Sequence, residues 1–144
     1  MAGGKGATFD NDWLKLVYNG TPIANIADNA ASLPLTNLYV SLHTADPGAG
    51  GSQNTSEAAY TGYARVAVAR STSGWVVTGN TVSPVAAIVF PSATGGSETE
   101  TFLGIGTAST GAGKLLYRGP VVSNIAVNSG VTPQLSTATN ITES

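Results

Sequence analysis

The chain has 144 residues, with six basic and eight acidic side chains, one histidine and no cysteine. That length suits one domain; the missing cysteine excludes a disulfide framework and a thiolate metal centre, and a formal net charge of −2 offers no basic footprint for a nucleic-acid backbone. Only 10% of residues are charged against a usual ~25%, so the surface must be covered by Ser, Thr, Asn and Gly, a low-field exterior suited to packing against other protein.

Residues 1–9 begin MAGGKG and are expected to form a flexible N-terminal arm. They lack the apolar region of a secretory signal, and no apolar run in the chain approaches the ~18 residues of a membrane span, so the protein is expected to be soluble and to have no membrane partner. FDNDWLKLVYNG reads as a short helix. Asp10 or Asn11 can cap it, Gly20 stops it, and Phe9 is placed as a hydrophobic staple. Trp13, Leu16 and Val17 share one helical face. The stretch IANIADNAASLPLTN carries mixed signals, one further helical turn and then coil.

After Asn37 the hydrophobic period changes to two. LYVSLH sets Leu38, Val40 and Leu42 on one face and Tyr39, Ser41 and His43 on the other. YARVAVAR alternates likewise, and GWVVTGNTVSPVAAIVF reads as two strands joined at Gly79-Asn80, a hairpin dipeptide, with Pro84 at an edge or bulge. TETFLGIGTA, GKLLYRG, VVSNIAVN and VTPQLS supply further strands. About eight short strands predict an all-β domain over residues 10–144, a β-sandwich or jelly-roll-like body with one short N-terminal helix. The segment from Thr44 to Gly62, TADPGAGGSQNTSEAAYTG, is poor in large apolar residues and longer than an ordinary connection. It reads either as an arm that orders against a neighbouring subunit or as a mobile surface loop. PSATGGSETE reads as a solvated loop carrying two of the eight acidic residues.

Chemistry is hard to place on this chain. His43, three residues before Asp46, would need a nucleophile and an orienting carboxylate to act as a base, and no G-x-S-x-G elbow is present; Asp46-Pro47-Gly48 is first of all a turn. His43 is therefore expected to be an ordinary strand-end residue. ASTGAGKLL, Ala108 to Leu116, approaches a phosphate loop but has Ala108 for the first glycine and Leu115 for the magnesium-binding hydroxyl, so it reads as a hairpin turn. One histidine with no cysteine leaves no metal-ligand set, the carboxylates show no paired spacing, and Tyr60 and Tyr63, flanking Gly62, read as a contact where the chain enters a strand. No catalytic residue, cofactor or metal site is expected.

The blocks LTNLYVSLHTADPG, SEAAYTGYARVAV, SGWVVTGNTVSPVAAIVFPSATGGSET and FLGIGTASTGAGKLLYRGPV occur in order, and from about Asp10 to Thr142 the chain resembles a group of small proteins of tailed bacteriophages. Its members carry labels such as tail-fibre protein or capsid decoration (cement) protein. The resemblance implies a non-enzymatic virion component, made in the host bacterial cytoplasm, with a β-sandwich body and no transferable catalytic residue. The leading reading is a decoration protein on the capsid exterior, bound to the major capsid protein of the phage head and to copies of itself as a dimer or trimer. The alternative is a tail- or tail-fibre-associated module that recognises a receptor. Residues 1–9 and 44–62 are the expected contact elements, with Phe9, Trp13, Asp46, Pro47, Tyr60 and Tyr63 as candidate interface positions.

Overall fold

The computed structural model describes residues 7–23 and 34–144. Most of the expected arm and most of the mixed stretch after Ile23 lie outside the described residues. Of the arm, residues 7–9 already belong to a helix, α1 (Ala7–Leu14), which widens into a single π-helical turn, Lys15–Asn19. Gly20 ends it with φ 67°, donating its N–H to the Lys15 carbonyl; a residue without Cβ adopts this left-handed conformation at little cost. Two further orphan carbonyls at this end are taken by Arg70, Nε to Val17 O at 2.8 Å and Nη2 to Leu16 O at 2.5 Å.

The buried stripe of this helix differs from the expected one. Leu14 and Tyr18 are fully buried and Asp10 nearly so, whereas Trp13 stays on the surface and Leu16 and Val17 are only half-buried. Phe9 lies inside the helix and is exposed, not placed before it as a staple. Tyr18 packs its ring against Trp75 (centroids 4.9 Å apart) and Tyr117 (5.5 Å), so the helix is held by aromatic contacts within the core.

Nine strands follow among the described residues, and every pairing is antiparallel: β1 (Asn37–His43), β2 (Val66–Ala69), β3 (Trp75–Thr78), β4 (Thr81–Pro84), β5 (Ile88–Val89), β6 (Ser97–Gly106), β7 (Leu115–Asn128), β8 (Gln134–Leu135) and β9 (Ile141–Thr142). They form a four-stranded sheet ordered β2-β1-β6-β7, a three-stranded sheet β3-β4-β9 and a two-stranded sheet β5-β8. The fold is all-β as expected, but its strands divide among three sheets instead of the two of a simple sandwich. The Gly79-Asn80 hairpin forms, and Pro84 ends β4 opposite Trp75. GKLLYRG and VVSNIAVN, read as separate strands, are one strand of 14 residues.

Leu38, Val40 and Leu42 enter the core as the alternation of β1 predicts, yet Ser41 and His43 on the other face are equally buried. Both faces of β1 are covered, because residues 44–62 fold back over the second face. Their anchors are intramolecular: Thr44 N–H to Ser56 O (2.9 Å), Ala58 N–H to Leu42 O (2.9 Å), Gln53 N–H to Gly113 O (3.0 Å) and Thr61 N–H to Gly95 O (3.0 Å). The Gln53 side chain, fully buried, donates to Tyr39 O and accepts from Ala108 N–H. The glycine-rich run makes room for it: a Cβ on Gly106 or on Gly113 would stand 2.1 Å from a Gln53 atom. The near-phosphate-loop string is thus a cradle for a glutamine amide. Gly106→Ala is expected to lower stability by about 1–3 kcal/mol in urea melts, through overpacking and loss of the Gln53 bonds. Gly50→Ala, where an added Cβ meets nothing within 4 Å, should stay within about 0.5 kcal/mol of the parent.

Candidate functional site

His43 is the residue that most invites a chemical reading, and its surroundings resolve it. Nδ1 lies 2.9 Å from the Thr55 carbonyl, which can only accept, so Nδ1 carries the proton. Nε2, 2.8 Å from Ser41 Oγ, is then the acceptor of the serine hydroxyl. The contact resembles a nucleophile–base pair, but a carbonyl stands where an orienting carboxylate would, and neither side chain reaches solvent. Both pack against the bare backbone of Gly104, the ladder partner of Ser41, where a Cβ would lie 2.6 Å from Nε2 and 2.7 Å from Oγ. Burial pushes the His43 pKa down, which keeps the ring neutral at physiological pH. The pair pins β1 to the folded-back segment.

A second polar cluster fixes the same segment from the other side. Arg65 grips Glu57 with two parallel bonds, Nε to Oε1 at 2.6 Å and Nη2 to Oε2 at 2.7 Å. The remaining guanidinium donors reach Ala108 O (2.9 Å) and Gly111 O (2.6 Å) in the β6–β7 turn. Tyr63 donates its hydroxyl to Glu57 Oε1 (2.9 Å) and accepts the Leu42 N–H (3.1 Å); burial pushes the phenol pKa far up, so it remains a donor. The Glu and the GYAR block of the sequence are therefore one bolt through three loops. The Arg65 side chain is only 2% exposed, and removing it leaves the half-buried Glu57 carboxylate without its cation. Arg65→Ala should cost about 1.5–3 kcal/mol in chemical denaturation, and Arg65→Lys a large part of it, because an ammonium cannot reproduce the fork.

The acidic residues of PSATGGSETE are not merely solvated. Glu98 Oε1 accepts the N–H groups of Ala59 and Tyr60, each at 2.8 Å. Glu100, two residues along β6, is fully buried beside the Glu98 carboxyl, its one hydrogen-bonding neighbour once it carries a proton. Burial, and then the neighbouring Glu98, raise its pKa to about 8, so it is folded as the neutral acid. The native state then holds a proton that the unfolded chain, with an ordinary carboxyl, has already lost. Stability must fall as pH rises from the unfolded value near 4.5 towards 8. His43 acts with opposite sign, below its ordinary value of 6.5, and leaves the upper window to Glu100. Between pH 6.5 and 8 the wild type should lose up to about 2 kcal/mol relative to Glu100→Gln, measured by denaturant melts at each pH.

The six nominated interface positions separate into different settings. Phe9 and Trp13 lie one turn apart on α1 and are 38% and 39% exposed; the Trp13 indole N–H donates to Tyr117 Oη at 2.8 Å, and that hydroxyl donates to Glu143 at 2.7 Å. Asp46 is exposed, caps the Gly48 N–H (2.8 Å) and pairs with Arg118 (2.5 Å); the Gly48 N–H and then Arg118 hold its pKa low. Pro47 is buried. Tyr60 is buried too, its ring edge-on to Tyr63 at 5.3 Å and its hydroxyl on Pro91 O. Pro47 and Tyr60 offer no contact surface. What sequence reasoning missed are the exposed valines: Val76, Val85, Val89 and above all Val122, 75% exposed. Val122 lies on the outward face of β7, opposite its buried neighbour Val121, as strand alternation requires.

Residues 15–142 match the family described as podophage GP4 fiber I protein gp80. The chain belongs to that family. No curated protein matches it. All the blocks that carried the phage resemblance fall within the matched residues, so this is a phage structural protein and a component of the virion. The family is described by a fibre, where the leading expectation was a decoration protein of the head.

Proposed function

We propose that this protein is a structural component of a podophage fibre, attached at the tail, with no catalytic step of its own. The observation that carries the reading is the match to a fibre family across nearly the whole chain, residues 15–142. The architecture agrees with it. The side chains that resemble chemistry, Ser41 with His43 and the Glu98 carboxylate, are spent on holding loops to sheets, and the exterior is sparsely charged with isolated valines. Such a surface binds through backbone, hydroxyl and aliphatic contacts and has little long-range field to steer a partner.

A compact module without a repeated fibrous sequence can serve a fibre as its attachment or terminal piece. No particular observation in the structure favours the head. Antibody–gold labelling or cryo-electron microscopy of purified particles is expected to place this chain at the tail in a small number of copies. Regular decoration of the head in hundreds of copies would replace the fibre reading with the cement reading.

A further inference from the structure

Residues 59–62 lie as a strap across the start of β6. On one side of it Glu57 is held by the Arg65 fork, and on the other Tyr63 is held by Glu57 and the Leu42 N–H. Between these anchors the strap is seated on glycines. A Cβ on Gly96 would stand 3.1 Å from Tyr60 Cα, and one on Gly95 would stand 3.1 Å from Thr61 Oγ1. Thr61 exchanges main-chain bonds with the turn before β6, its N–H reaching Gly95 O at 3.0 Å and its carbonyl accepting the Thr94 N–H at 2.9 Å. The backbone is left-handed at Gly62 (φ 99°), where the strap ends.

The middle of the strap rests on an acid pair. Glu98 Oε1 takes both the Ala59 and the Tyr60 N–H at 2.8 Å, and Glu98 is in turn the hydrogen-bonding neighbour of the fully buried Glu100. Two carboxyls this close, one of them shut off from water, stay together only while a proton lies between them. The other titratable group beside them is Tyr60 on the strap itself; burial, and then the two acids, push its phenol up to about 12, so it stays neutral. Across the ladder β7 sets the apolar Ile125 opposite Glu100. Among the described residues no basic group offsets a second negative charge at this place, since Arg65 is engaged by Glu57.

We infer that residues 59–62 are a proton-operated catch, which lifts from β6 when Glu100 ionises while the rest of the fold stays closed. An anionic Glu100 cannot remain dry beside Glu98, and lifting the strap gives it water. The forked bond on one side and the Tyr63 bonds on the other need not break, so the opening disrupts less than global unfolding does. Under the closed strap Glu100 keeps its proton up to about pH 8, whereas an open carboxyl has the ordinary value of 4.5. Between those values each opening releases a proton, and the opening equilibrium rises roughly tenfold per pH unit. The inference is independent of where on the particle the protein sits.

Amide hydrogen exchange on the full chain, followed by NMR, tests it. The Ala59 and Tyr60 amides should exchange faster than those of Leu38 and Val40 in β1. Their rates should climb with the second power of hydroxide, one power from the exchange chemistry and one from the catch. Between about pH 5.5 and 7.5 that is roughly a hundredfold beyond the rise of an uncoupled amide. In Glu100→Gln only the first power should remain. A cross-link gives a second arm, decisive with the wild type even if Glu100→Gln fails to fold. A Cβ on Gly95 lies 3.5 Å from Thr61 Cβ, within disulfide spacing, and the chain has no cysteine of its own. Oxidised Thr61→Cys/Gly95→Cys should slow the Ala59 and Tyr60 amides to the rate of the β1 amides, and reduction should release them. Strap amides no faster than those of β1 overturn the inference, because the only opening is then global. A first-power dependence in the wild type overturns it too, because Glu100 then stays dry when the strap lifts. So does a second power that survives in Glu100→Gln, or fast strap exchange that persists in the oxidised cross-link.

Discussion

The forked bond between Arg65 and Glu57 is the contact without which residues 44–62 would have no reason to lie where they do. That segment has few large apolar side chains, so burial of Ala58 and Tyr60 secures only its end, and its backbone makes only scattered bonds with the rest of the chain. A buried ion pair by itself roughly breaks even against hydrophobic replacement. Here the guanidinium also satisfies two carbonyls of the β6–β7 turn, so one side chain ties together three stretches that share no ladder. Gln53 and His43 complete the attachment, each filling space left by glycines on β6 and its turn. The exchange is polar bonding for missing apolar area, which suits a chain with a thin supply of large hydrophobic residues.

That economy explains which features could be read from the residues alone. The two-residue period of LYVSLH, the Gly79-Asn80 hairpin and the stop at Gly20 depend on neighbours in sequence, and all three appear as expected. Burial of Ser41 and His43 could not be read, because alternation describes one sheet face and is silent about a loop that later covers the other. For the same reason Glu100 looked solvated: its two-residue offset from Glu98 places both carboxyls on the same side of β6, over a segment that arrives from 38 positions before Glu98. On α1 the apolar side chains Trp13, Leu16 and Val17 suggested a stripe, but the core accepted Asp10, Leu14 and Tyr18. The Trp13 indole instead spends its N–H on the Tyr117 hydroxyl at the surface.

Within the fibre family, the division of labour in this molecule is between an interior made specific by polar contacts and an exterior left plain. The distinctive strings of the sequence, LHTADPG and GYAR, serve the interior: Asp46 closes a turn, Tyr63 and Arg65 hold Glu57. They mark the fold and say little about the partner.

The neutral carboxyl of Glu100 has a thermodynamic corollary. Because the group is folded as an acid and unfolds into an anion, its carboxyl gives a proton to the buffer each time the molecule opens near neutral pH, offset in part by proton uptake at His43. Heat absorbed in a calorimeter then includes the heat of protonating the buffer, and runs in phosphate and in an amine buffer at the same pH will differ in proportion to the difference between the two buffers' ionisation enthalpies.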